Sequence, residues 1–303
     1  MAINTVKATI NGTEYSLTYN GVSLKWEATL TAPSGSSFNL PGGYYNVSVT
    51  AVDSATNSTT VDATHATLGS SLRLAVVEKV VPTISIMSPG ALAYIINNTP
   101  AITFQLRDDD SGIKITTLSL KIDAGTAIGN TAPGMVCTAV AGGYDCTYTP
   151  QTALSDGSHT IKIDIADNDG NSATQALRTF TVDTIAPMLN VTAPTDALET
   201  NQASQNVVGT TNDATSSPVT VTIKLGGVDQ GVVTLTGGAF NKAVTLAEGS
   251  NTIIITATDA AGKTTSITRT VVLNTATPAI TAVELIPNPV DGGQTYVIKV
   301  TIA

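Results

Sequence analysis

The chain has 303 residues, with 14 Lys and Arg against 23 Asp and Glu, a formal net charge of −9, and only 12% charged and 4% aromatic residues. The cations are scattered, so no nucleic-acid partner is expected, because phosphate binding needs clustered Lys and Arg. No stretch is long and apolar enough to insert in a membrane, and no long stretch keeps a 3.6-residue apolar spacing, which excludes a helical fold.

In chain order, Met1 to Asn11 has no basic segment followed by an apolar run, so the sequence predicts a product made in the cytoplasm without a secretory signal. A mature secreted protein with an added Met1 is the alternative. Leu24, Trp26 and Ala28 alternate with polar neighbours, which assigns Trp26 to core packing rather than to stacking on a sugar.

Three later segments repeat one another: Tyr45 to Asp53, His159 to Asp167 and Asn251 to Asp259. In each, apolar positions (Val47, Val49, Ala51; Ile161, Ile163, Ile165; Ile253, Ile255, Ala257) alternate with largely polar ones. Side chains of a strand point to opposite faces with period two, so each segment reads as a strand with one buried face. A turn rich in Gly, Asn, Ser or Asp follows each, and then a partner strand. Internal repetition defines the building unit, here a β-domain used at least three times.

Repeat ends also match. Arg178 to Thr184 runs into Pro187 as Arg269 to Thr275 runs into Pro278, and prolines bracket the short segments 82–89 and 187–194. Proline lacks a ladder donor, which suits the opening edge strand of an immunoglobulin-like sandwich. The expected organisation is all-β, tandem immunoglobulin-like β-sandwiches: a divergent one at 1–80, a second at 81–184, a third at 185–275, and a two-strand segment at 276–303.

Catalysis has little to draw on. His65 in a polar loop and His159 at a strand start have no nucleophile or paired carboxylate nearby in sequence, so both read as surface residues and no enzyme activity is expected. No phosphate-binding or zinc-protease motif occurs. Cys137 and Cys146 flank Gly142-Gly143, and a hairpin folded about the midpoint sets them opposite each other. They are either a cross-strand disulfide or, in a cytosolic product, a pair of free thiols.

The acidic runs Asp108-Asp109-Asp110 and Asp167-Asn168-Asp169 fall in two loops at the same pole of the second sandwich. Alternating carboxylate and amide oxygens suit calcium, with Asp108, Asp110, Asp167 and Asp169 as the candidate ligands. The other repeats keep Asp53 and Asp259 but lose the second carboxylate, as plain solvated turns would. At the carboxyl end, Tyr296, Ile298, Val300 and Ile302 alternate with Val297, Lys299 and Thr301. This segment and Ala279 to Pro287 read as the first two strands of a fourth sandwich. Two strands alone leave open edges, so residues 279–303 are expected either to anchor assembly by strand addition or to belong to a longer chain.

Thr184-Ile-Ala-Pro187, Asp109-Asp-Ser-Gly-Ile113, Asp156 to Ile161 and Ala257 to Lys263 together resemble the bacterial Ig-like repeats of surface proteins and of phage structural proteins. The segment Ile286 to Val300 is similar to one that ends Ig-like tail or virion-surface proteins of phages infecting Gram-positive bacteria. The resemblance implies a non-catalytic, projecting or decorating component of a virion. Its implied partners are other virion structural proteins, copies of itself, and a host cell-surface glycan or protein. A secreted adhesin or surface stalk, located outside the cell, and a carbohydrate-binding accessory module are the alternatives.

Overall fold

The computed structural model describes residues 2–303, and the chain divides after Asp183 into two compact units. The first unit opens with β1 (Ile3–Ile10), β2 (Thr13–Asn20), β3 (Lys25–Glu27), β4 (Tyr45–Asp53), β5 (Ser58–Val61) and β6 (Arg73–Leu74). These join in one sheet, β3-β2-β1-β4-β5, with β6 also on β4. A divergent sandwich was expected here, and the structure has a single sheet instead. The reason is a shortage of large apolar side chains: Val6, Ala8, Ala63 and Val76 are the buried hydrophobics of this region, and Val47, Val49 and Ala51 of β4 are only half-buried. Alternation alone makes a strand, but a second layer needs bulk to bury. Trp26 differs from expectation too. It sits half-buried on the short strand β3, its ring 5.8 Å from that of Tyr19, which is itself exposed.

The rest of this unit is a two-sheet sandwich. Its strands are β7 (Thr83–Ser88), β8 (Tyr94–Ile95), β9 (Ile102–Arg107), β10 (Ser119–Ile122), β11 (Met135–Val140), β12 (Gly143–Tyr148), β13 (Gly157–Asp164) and β14 (Ala176–Val182). One sheet runs β11-β12-β9-β7 and the other β10-β13-β14-β8, with β8 parallel to β14. The inward positions of β9 (Ile102, Phe104, Leu106) meet Ile161 and Ile163 of β13 and Phe180 and Val182 of β14 in one core. Full burial of each such side chain stabilises by about 1.5–3 kcal/mol, which is why this face cannot slip register. Gly143 is required where β12 starts: a Cβ there would lie 1.9 Å from the Leu106 carbonyl oxygen.

Cys137 on β11 faces Cys146 on β12 in the register, and the two form a disulfide. The turn residues are Ala141 and Gly142, because Gly143 already belongs to β12. The bridge therefore fastens an outer strand of the sheet to its neighbour.

The second unit repeats the plan with β15 (Met188–Ala193), β16 (Leu198–Thr200), β17 (Ser204–Asn212), β18 (Thr220–Leu225), β19 (Val228–Asp229), β20 (Leu235–Thr236), β21 (Ala239–Thr245), β22 (Gly249–Thr258) and β23 (Thr264–Leu273). Its sheets run β15-β17-β21-β20 and β16-β23-β22-β18-β19, with β16 parallel to β23. Apart from the added β19, the strand order is that of the first sandwich. Ile253, Ile255 and Ala257 are fully buried, as are Ile161 and Ile163, with Ile165 nearly so. Prolines bracket β7 and β15, and both lie at sheet edges, where a missing amide costs no ladder bond.

The chain closes with β24 (Ile280–Ile286) and β25 (Val297–Ile302), a separate antiparallel pair in which every residue is exposed. Val283 pairs with Val300 and Leu285 with Ile298, giving one apolar face, while Glu284 opposite Lys299 marks the other.

Candidate functional site

The polar residues that matter most sit in the turns after the repeated strands. Asp167 donates its amide to the Asn171 carbonyl at 3.0 Å and accepts the Asn171 amide on Oδ1 at 2.7 Å. Asp53 does the same with Asn57 (3.0 and 2.9 Å), and Asp259 with Lys263 (3.0 and 2.8 Å). All three aspartates are buried. The one carboxylate common to the three repeats therefore closes a five-residue turn, satisfying an amide that the hairpin would otherwise leave unpaired.

Around Asp167 the first unit gathers more acid. Glu78, Asp108 and Asp167, all buried, each place a carboxylate oxygen within 4.8 Å of the others. Asp108 Oδ1 accepts the amides of Asp110 (3.1 Å) and Gly112 (2.7 Å), an arrangement favoured by the positive φ of Gly112. Glu78 Oε1 accepts the Ser111 amide at 2.8 Å, whereas Glu78 Oε2 is buried with no hydrogen-bond partner.

Of the four predicted ligands, the structure brings Asp108 and Asp167 together and turns the other two elsewhere. Both oxygens of Asp110 accept the Ser36 amide, at 2.9 and 3.0 Å, and Asp169 Oδ2 accepts the Glu78 amide at 2.9 Å. These two carboxylates serve as acceptors for backbone of the preceding segment. Glu78 was not anticipated, since it lies in the link between β6 and β7, far in sequence from either acidic loop.

His159 also departs from expectation. It is buried, with Nδ1 2.8 Å from Asp123 Oδ2, Nε2 2.8 Å from the Ser155 carbonyl oxygen, and its ring against Phe180. Ser, His and Asp are thus together, yet without the geometry of a catalytic triad: the serine contributes its carbonyl, and that bond occupies the nitrogen a nucleophile would need. The set pins the start of β13 to the loop after β10. His65, by contrast, is exposed and accepts the amides of Thr67 and Leu68.

Two family models match parts of the chain: glucodextranase, domain B, over residues 187–275, and the bacterial Ig-like domain over residues 93–184. No curated protein matches it. Similar solved structures include the fibronectin(III)-like modules of Clostridium thermocellum CbhA, at 17% identity, covering 63% of this chain and 94% of that one, with a TM-score of 0.36. Rst D1-D2 is 13% identical, covering 64% of this chain and all (100%) of its own, with a TM-score of 0.39. Drosophila OTK extracellular domains 3–5 are 10% identical, covering 89% and 85%, with a TM-score of 0.28. The strand order of both sandwiches and the bacterial Ig-like match agree: this is an all-β chain carrying immunoglobulin-like sandwiches in tandem.

Proposed function

We propose that the chain is a non-catalytic structural component of a phage particle, associated with the tail, in which the Ig-like domains project and the β24–β25 hairpin anchors the chain in the assembly. The observation that carries the anchoring role is the exposed apolar face formed by Val283, Leu285, Ile298, Val300 and Ile302. Two strands bury too little to stabilise themselves, and their outer edges offer unpaired backbone groups, so a neighbouring structural protein that adds a strand satisfies both needs. The particle itself is supported by the sequence resemblance of residues 286–300.

The experiment is deletion of residues 279–303 followed by purification of particles and peptide mass spectrometry. The shortened chain should keep its folded sandwiches and be missing from the particle. Normal incorporation would refute the anchor, and absence of the intact chain from purified particles would refute the phage assignment.

A second reading, a surface stalk of a bacterial cell, is favoured by the Cys137–Cys146 disulfide, since such bonds persist in oxidising surroundings, and by the bacterial Ig-like match. Recovery of the chain from the cell-surface fraction of uninfected bacteria would select it.

A further inference from the structure

We infer that Glu78, Asp108 and Asp167 form a calcium site that ties the segment before β7 to the pole of the sandwich it leads into. Three buried carboxylates with oxygens within 4.8 Å of one another repel strongly when ionised, and none has a Lys, Arg or His ion-pair partner among the described residues. Hydrogen bonds from amides absorb part of that charge, but Glu78 Oε2 is left buried with no donor, and the hydroxyl oxygen of Ser111, whose amide donates to Glu78 Oε1, is likewise buried without a partner. A buried carboxylate oxygen with nothing to accept from is costly unless a cation supplies the missing interaction.

Donor chemistry selects the ion. The set is oxygen only, with no Cys or His, which disfavours zinc and the softer transition metals. The three ligands come from three separate segments, and the remaining positions fall to hydroxyl, carbonyl or water oxygens. Such an irregular shell suits calcium, which accepts six to eight oxygens, better than magnesium, which holds to an octahedron and keeps its waters. A surface cleft lined by Glu78, Val81, Arg107, Asp108, Asp109 and Asp110 borders two of the three carboxylates, Glu78 and Asp108.

The test is equilibrium dialysis of the chelator-stripped full chain against radioactive calcium, with thermal melting in calcium and in chelator. Wild type should bind one more calcium per chain than Glu78→Gln, which keeps the acceptor for the Ser111 amide and removes only the charge. Calcium should raise the wild-type melting temperature, since a ligand of the native state stabilises it. In chelator, Glu78→Gln should melt above wild type, because repulsion is relieved. No binding at millimolar calcium, equal stoichiometry in the two proteins, or equal occupancy by magnesium at the same concentration would each overturn the assignment. If Glu78→Gln does not fold, Asp108→Asn, whose side-chain carbonyl still caps the Gly112 amide, gives the same count.

Discussion

The amide of Glu78 donates to Oδ2 of Asp169 at 2.9 Å, while the Asn171 side-chain amide donates to the carbonyl of the same Glu78 at 3.2 Å. One residue of the link is thus held through both its backbone groups by a single turn of the following sandwich. The turn can do this because Asp167 has already fixed its shape.

That closure can be measured in the second unit, where Asp259→Ala leaves the part-buried Lys263 amide without its acceptor. The variant should lose about 1–3 kcal/mol of stability, read as a lower urea midpoint with an unchanged slope.

Acid should undo the equivalent turn of the first repeat. The Asn57 side-chain amide holds the Asp53 carboxyl below its ordinary value of 3.8, helped by the Asn57 and Ala55 backbone amides and opposed by burial. A depressed folded value means the contribution is complete above 3.8 and is lost as pH falls through the lower folded value. Carboxyl carbon NMR should show Asp53 titrating below a model aspartate, and Asp53→Asn should flatten the acid limb of the stability curve.

Position on the strand, rather than residue type, should set the cost of core changes. Ile163 is fully buried and Ile254 is 36% exposed on the opposite face of its own strand. Ile163→Val should cost about 0.5–1.5 kcal/mol and Ile254→Val less than about 0.5 kcal/mol, by denaturant unfolding.

Reduction of Cys137–Cys146 should lower stability by about 2–3 kcal/mol, the chain-entropy value for so short a loop, without unfolding the sandwich, whose core is built mainly by other strands. Hydrogen exchange in reductant should show the protection loss concentrated on β11, the outer strand.

Much of this architecture was legible in the sequence, because period-two alternation and bracketing prolines are local signals. Ile161 to Ile165 and Ile253 to Ala257 carry enough bulk that alternation also means a core. Tyr45 to Asp53 carries the same pattern, yet whether a second layer covers a strand depends on side chains elsewhere, and β1 and β2 contribute small or charged ones such as Ala8, Lys7 and Glu14. The acidic loops were visible, but the partners of their oxygens were not. Glu78 reaches Ser111 and His159 reaches Asp123 only through the tertiary fold, and no spacing in the chain reports such pairs. The short parallel strands β8 and β16 leave no such signal, because two or three residues have no readable period.

Those two short strands have a mechanical consequence. In each sandwich a strand near the start of the domain lies parallel to the last one, with Ala93 and Ile95 accepting amides of Thr181 and Asp183 in one and Thr200 accepting that of Asn274 in the other. Tension applied between the two ends of such a domain slides these strands past each other, so their hydrogen bonds share the load instead of parting one after another. The paired stretch spans Tyr94 and Ile95 in the first sandwich and Leu198 to Thr200 in the second. Leu92 also donates its amide to the Thr179 carbonyl, so in the first sandwich the load is shared from Leu92 to Ile95, and each domain should resist a pull on its ends until this parallel pair shears.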